Sequence, residues 1–282
     1  MKKAIVLALA MIIAGTAYAE DQNSRAGGGG YGPFGDGYAN LRDESDVLIY
    51  QCREANTGFG DLIPIYDAAL TAAGATVTGI DAPSGGGALP VLDPCEIPVV
   101  FVLTSENFWG PNFPPGDEAL VQTYLGNGGA LYFSGQDYLY GAGYPDGTQS
   151  GFPYYIGLQS VVQDQPFGAD FMDVIGHDMF ETYYLFLDAY SVFISNPFYP
   201  DTTTPRADGG ANLWEQISPE THMGALRFEG AGYRTMFSAI ELAGDTLGEF
   251  PGVIAVSWEW LKANAPVATE MSTVGAVKAS YK

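Results

Sequence analysis

Residues 117–138 read DEALVQTYLGNGGALYFSGQDY, and this stretch decides the fold class. Leu120, Tyr124 and Leu125 recur at helical spacing, Asn127-Gly128-Gly129 is a stop signal, and the apolar run after it has strand character. The strand ends at an abrupt Ser134-Gly135-Gln136-Asp137 turn. A helix closed by glycine and followed at once by a buried strand is the signature of a βαβ crossover.

The same alternation extends outward. Residues 46–51 (DVLIYQ) form a first strand, and residues 62–73 a helix with Ile65, Ala69, Leu70 and Ala73 on one face. Residues 76–80 form a second strand, and 97–103 (IPVVFVL) a third, continuously apolar as expected of a strand covered on both faces. Later, 233–242 (YRTMFSAIEL) restores a strand, and 253–264 (VIAVSWEWLKAN) a helix with Val256, Trp260 and Leu261 among its apolar positions. The pattern predicts an α/β domain, a three-layer sandwich with a mainly parallel sheet. Between 138 and 232 the alternation stops and Tyr, Phe, Pro and Gly dominate. A β- and loop-rich insertion is expected there, with short strands near Val161 and over 171–175, 191–195 and 223–228.

The termini have a different character. Lys2-Lys3, an apolar run over 4–14 and Ala17-Tyr18-Ala19 predict a signal peptide over 1–19. The run is too short for a stable membrane anchor. A secreted, periplasmic or cell-surface location and no membrane-spanning segment are therefore expected. Residues 20–45, with AGGGGYGPFGDGY at the centre, read as a Gly-rich flexible leader, 46–264 as the α/β domain and 265–282 as a tail. In the tail, Val274, Val277 and Tyr281 lie at helical intervals.

Charge narrows the partners. Without Lys2 and Lys3 the mature chain carries 9 Lys+Arg against 33 Asp+Glu, a net of −24, which disfavours nucleic acid. An acidic surface suits solubility outside the cell, or calcium. Two cysteines in a secreted chain invite a disulfide. However, Cys52 follows the first strand and Cys95 precedes the third, so the topology sets them about 17 Å apart, beyond the ~7 Å reach of a disulfide. Two free thiols are expected.

Several quoted segments together resemble a known family. YDAALTAAGATVTGID (66–81), LVQTYLGNGGALYFSGQDY (120–138) and YRTMFSAIEL (233–242), with VIGHDMF (174–180), YPDTTTP (199–205) and GALRF (224–228), are similar to class I glutamine amidotransferase-like domains of secreted bacterial proteins. The resemblance implies a flavodoxin-like α/β fold over about residues 46–264. Catalytic members carry a cysteine after the fourth strand and a histidine and an acid much later. Here Ser134 or Gly135 stands at the first position, and the only histidines, His177 and His222, fall in the irregular region. The resemblance therefore implies a member lacking the catalytic Cys and His.

The residues themselves leave several chemistries open. Ser134 as a nucleophile needs a base and a tight elbow, but Tyr132 and Gln136 occupy the positions where an elbow has glycine. Cys52 lies at the sheet edge where ligands bind in open α/β folds, with Arg53 beside it to lower its pKa. His177, Asp178, Asp173 and Asp170 match no zinc or EF-hand spacing, so calcium near Asp201 or Asp208 is the metal candidate, and no other cofactor is expected. Phe108, Trp109, Asn112, Gln136, Asp137, Tyr138 and Tyr140, in loops after adjacent strands, suit a platform for sugar rings or peptide side chains. The functional expectation is a non-catalytic extracellular protein binding a glycan or a protein. A hydrolase or amidase using Ser134 or Cys52, and a purely structural surface component, are the alternatives.

Overall fold

The structure, a computed structural model, describes residues 45–52, 61–82, 87, 89–104, 113–136, 138–163, 170–191, 201–218, 221–230 and 232–263. The signal peptide, the leader apart from Ser45 and the tail expected from the sequence lie outside these residues, as do Arg53, Phe108, Trp109, Asn112 and Asp137.

The chain opens with β1 (Val47–Cys52), whose residues are all buried. It passes to α1 (Ile63–Ala72), and the side chain of Leu62 at the helix entry has no oxygen to cap it. Gln51 does that job from β1, its Oε1 accepting the N–H groups of Leu62 at 2.8 Å and Ile63 at 3.1 Å. Gly74, at φ +93°, ends the helix and turns the chain into β2 (Val77–Ala82). Next, β3 (Val99–Thr104) starts two residues later than its apolar run, because Pro98 has no N–H to give a ladder. The run that decided the fold class becomes α2 (Pro115–Gly126) and β4 (Ala130–Gly135). Gly128, at φ +96°, closes the helix, and Gly129 N–H returns to Tyr124 O at 3.1 Å.

The remaining elements are α3 (Tyr138–Gly141), β5 (Gly147–Thr148), α4 (Gly151–Tyr155), β6 (Leu158–Val162), β7 (Phe171–Gly176), β8 (Tyr184–Asp188), β9 (Thr202–Pro205), β10 (Gly210–Ser218), β11 (His222–Glu229), β12 (Arg234–Ser238) and α5 (Phe250–Lys262). Nine strands form one sheet in the order β2-β1-β3-β4-β12-β11-β10-β7-β8, and β5-β6-β9 form a smaller one. The expectation of a mainly parallel sheet is corrected. The pairs from β2 to β12 are parallel, while those from β12 to β8 are antiparallel, so the sheet is mixed. The region expected as an insertion therefore supplies β11, β10, β7 and β8 as half of the main sheet. The strand expected over 191–195 lies, apart from Ser191, outside the described residues; β8 precedes it and a 3-10 turn occupies Ala189–Ser191.

Alternation along the strands separates two cores. Val47, Ile49, Phe101 and Tyr132 pack with α1 and α5, whereas Leu48, Tyr50, Val102 and Phe133 pack with α2 and the small sheet. Both faces are thus covered, and an α/β fold results. Strand order reverses between β1 and β3 at the C-terminal edge of the parallel half. Ligands of open α/β sheets bind at this place.

Candidate functional site

The ends of the parallel strands carry buried polar side chains: Gln51 on β1, Thr104 on β3, Ser134 and Gln136 at β4, Ser238 on β12, and Glu241 just beyond it. Because β12 pairs with β4 in parallel and Ser238 faces Ser134 in register, Glu241 comes to the end of β4. Its carboxylate accepts three hydrogen bonds: from Ser134 Oγ at 2.7 Å, from Tyr66 Oη on α1 at 2.8 Å and from Ala243 N–H at 2.9 Å. Burial raises the Glu241 carboxyl above its ordinary pKa, opposed by these three donors. Burial first, then the neighbouring Glu241 charge, pushes the Tyr66 phenol well up.

A second cluster lies on the other face, at the start of α2. Tyr138 Oη donates to Glu118 Oε1 at 2.6 Å and Tyr144 Oη to Glu118 Oε2 at 2.9 Å. Tyr50 Oη and Gly87 N–H both donate to Asp117 Oδ2, at 2.9 and 2.8 Å. The helix N-terminus favours both acids. Burial and then Glu118 raise the Tyr138 phenol well above its usual value. Phenols and backbone amides therefore hold the buried acids of this edge in a chain that has few bases. The described cations are spent elsewhere, each against its own carboxylate: Arg206 on Asp208, Arg227 on Asp178, Arg234 on Glu229 and Lys262 on Glu259.

This geometry decides how the expected nucleophiles sit. Ser134 is 1% exposed, and its hydroxyl donates to a carboxylate. The histidines bond elsewhere: His177 Nε2 lies 2.6 Å from Glu215 Oε2, and His222 Nδ1 lies 3.0 Å from Thr202 Oγ1. Cys52 is buried, and burial above all raises its thiol well above the usual value, with Asp117 and Asp81 adding to the rise. Desolvation therefore opposes the activated thiolate that its edge position favours. Cys52 and Cys95 are both free thiols.

Gly135, the other candidate for the nucleophile position, has no room for a side chain. A Cβ there would lie 2.7 Å from a Phe133 ring carbon, 2.7 Å from Thr104 Oγ1 and 2.8 Å from Tyr138 Cβ. Gly135→Ala is expected to cost about 1–3 kcal/mol by overpacking. A denaturant midpoint unchanged from the parent would contradict this crowding.

Of the expected aromatic platform, Gln136, Tyr138 and Tyr140 are among the described residues. Tyr138 is 3% exposed and belongs to the core, Gln136 is buried, and Tyr140 is 50% exposed. The two alternative calcium candidates flank β9. Asp201 is fully buried just before β9, and Asp208, beyond the other end of that strand, is held by Arg206 through Nε at 2.9 Å and Nη2 at 2.6 Å. The guanidinium lowers the Asp208 carboxyl pKa. Among the described residues no group of three or more His, Cys, Asp or Glu side chains is placed to hold a metal ion. No described helix is long and apolar enough to cross a membrane. Sequence reading missed Glu241 and Tyr66. The available signal was a lone acid between Ile240 and Leu242 at the end of a buried strand, which must find donors inside the protein.

No protein-family model matches the chain, and no curated protein matches it. Among solved structures, it is similar to a cytoplasmic protein from Salmonella typhimurium (10% identity, 77% of this chain and 98% of that one, TM-score 0.49). It is also similar to a putative ThuA-like protein from Parabacteroides merdae (11% identity, 78% and 90%, TM-score 0.49). A third similarity is to an exo-β-1,4-mannosidase from an Opitutaceae bacterium (13% identity, TM-score 0.45), where 79% of this chain spans 36% of the enzyme.

Proposed function

We propose that this chain is a secreted, non-catalytic binding protein of the extracellular space or cell surface, with a glycan or a protein as ligand. In this reading it is a layered, flavodoxin-like relative of the amidotransferase-like domains whose sheet edge has turned from chemistry to support. One observation carries the reading. At the edge where such a fold does its chemistry, Ser134, Tyr66 and Glu241 form a closed hydrogen-bonded set, and Gly135 is packed too tightly to carry a nucleophile. A serine hydrolase needs its hydroxyl exposed and bonded to a base poised to take the proton.

The test has two arms. The mature protein, residues 20–282, is passed over insoluble polysaccharides and peptidoglycan, with calcium and with chelator. In parallel it is treated with a serine-reactive fluorophosphonate probe and with iodoacetamide. Retention on a matrix without covalent labelling of Ser134 or Cys52 in the folded state is the expected result. Rapid labelling of Ser134, abolished in Ser134→Ala, would sink the non-catalytic reading. Failure to be retained by any matrix would shift the ligand from glycan to protein.

A further inference from the structure

The far end of the sheet carries exposed aromatic side chains. In β7 and β8, Met172, Val174, Leu185 and Leu187 face the core. The alternate residues face outward, with Phe171 paired to Asp188, Asp173 to Phe186 and Ile175 to Tyr184. Phe171 is 51% exposed, Tyr184 44% and Tyr190, in the turn after β8, 55%. These rings are held in place. Phe171 stacks on Phe186 with centroids 5.8 Å apart and planes within 11°. Tyr184 Oη donates to Asp173, and Tyr190 Oη to Asp170 Oδ1 at 3.0 Å. Asp188 Oδ1 accepts the Tyr190 N–H at 2.9 Å. An exposed aromatic set whose rings are already fixed loses little entropy when a partner covers it.

Among the described residues, the charge of this hairpin has one sign. Residues 170–191 contain five Asp and Glu and no lysine or arginine. Arg227 reaches the segment only at Asp178, in the turn between the two strands. Ring faces carry negative charge density, and carboxylates stand beside them. A guanidinium or ammonium on an apolar stem satisfies both, with the stem along the ring and the head at the acid. The open side of β8 is not a template for another strand, because Thr246 N–H bonds Phe186 O at 2.9 Å and Asp245 bridges Leu187. A partner therefore meets the face of the hairpin.

We infer that the outer face of the β7–β8 hairpin, built from Phe171, Tyr184 and Tyr190 with Asp170, Asp173 and Asp188, is a docking surface for a basic peptide segment of a partner protein. The surface is separate from the sheet edge and does not depend on how that edge is used.

The test is fluorescence anisotropy of a labelled nona-arginine peptide with the mature protein in roughly physiological salt, with cellohexaose as an uncharged competitor. Two variants are compared: Phe171→Ser/Tyr184→Ser/Tyr190→Ser, which leaves net charge unchanged at neutral pH, and Asp170→Asn/Asp173→Asn/Asp188→Asn. Each is expected to weaken binding about tenfold or more while keeping the parent's circular dichroism and melting profile, since the altered side chains lie outside the core. Equal affinity in the aromatic variant would overturn the inference, because the peptide would then be held by diffuse charge. Absence of peptide binding by the parent would also overturn it. So would displacement of the peptide by cellohexaose, which would mark a sugar surface.

Discussion

Replacing Phe133 with alanine is expected to remove about 3–5 kcal/mol of folding stability, the range for deleting a fully buried aromatic ring. Phe133 is at 0% exposure on β4, and its ring meets those of Tyr138 at 4.7 Å, Phe113 at 5.4 Å, Phe152 at 5.9 Å and Phe237 at 5.9 Å. Those partners come from α3, the entry to α2, α4 and β12, so one side chain ties four segments to the central strand. They are themselves confined and close the resulting cavity only in part. Urea unfolding followed by tryptophan fluorescence should show a lower midpoint with an unchanged slope. A loss below about 1 kcal/mol would mean that the aromatic cluster repacks freely and does not set the position of β4.

The second large effect is expected at Glu241. Glu241→Ala strands the Ser134 hydroxyl, the Tyr66 phenol and the Ala243 N–H in a buried space, at an expected cost of about 3–5 kcal/mol. Glu241→Gln keeps the shape and two acceptor bonds, and its amide N–H₂ can donate to Ser134 Oγ, so it should stay within about 1 kcal/mol of the parent near neutral pH. The pH dependence separates charge from shape. Because burial raises the folded-state carboxyl pKa above its unfolded value, the folded chain holds a proton that the unfolded chain has released. Stability from this group is thus complete below the unfolded pKa and falls as pH rises through the folded one. Glu241→Gln lacks that decline, so its stability relative to the parent should improve from mildly acidic to neutral pH. A constant difference over that range would show that Glu241 titrates in the folded protein as it does in the unfolded chain.

The contrast between these two residues shows what could be read from the chain. Phe133 sits in a run whose apolar character and flanking glycines announce a buried strand. The same signals give α1, α2, β1, β3, β4, β12 and α5, because each depends on periodicity over a few turns or a few pleats. Ser134 at the end of β4 was legible as a position. Its partner Glu241 lies 107 residues away, and only the pairing of β12 with β4 brings them together. Of the antiparallel half, β7 and β11 were legible as short strands over 171–175 and 223–228, whereas β10 was hidden for a local reason. In β10 the register slips on either side of Trp214, so the neighbours Leu213 and Trp214 are both buried and the period-two pattern is lost. The acid–phenol pairs were hidden for a chemical reason, since an aspartate or a tyrosine reads as surface or as core until its partner is known.

One feature of the sheet bears on how the chain is made. β12 is fifth of nine across the main sheet but last among the described strands in order of synthesis, and it joins β4 on one side to β11 on the other. Until residues 234–238 have left the ribosome, the parallel and antiparallel halves have no common strand and each presents an open edge at what becomes the middle of the molecule. Folding of the sheet as a unit therefore waits for residues 234–238. The nascent chain needs an occupant for those edges, such as a holding chaperone, until its closing strand arrives.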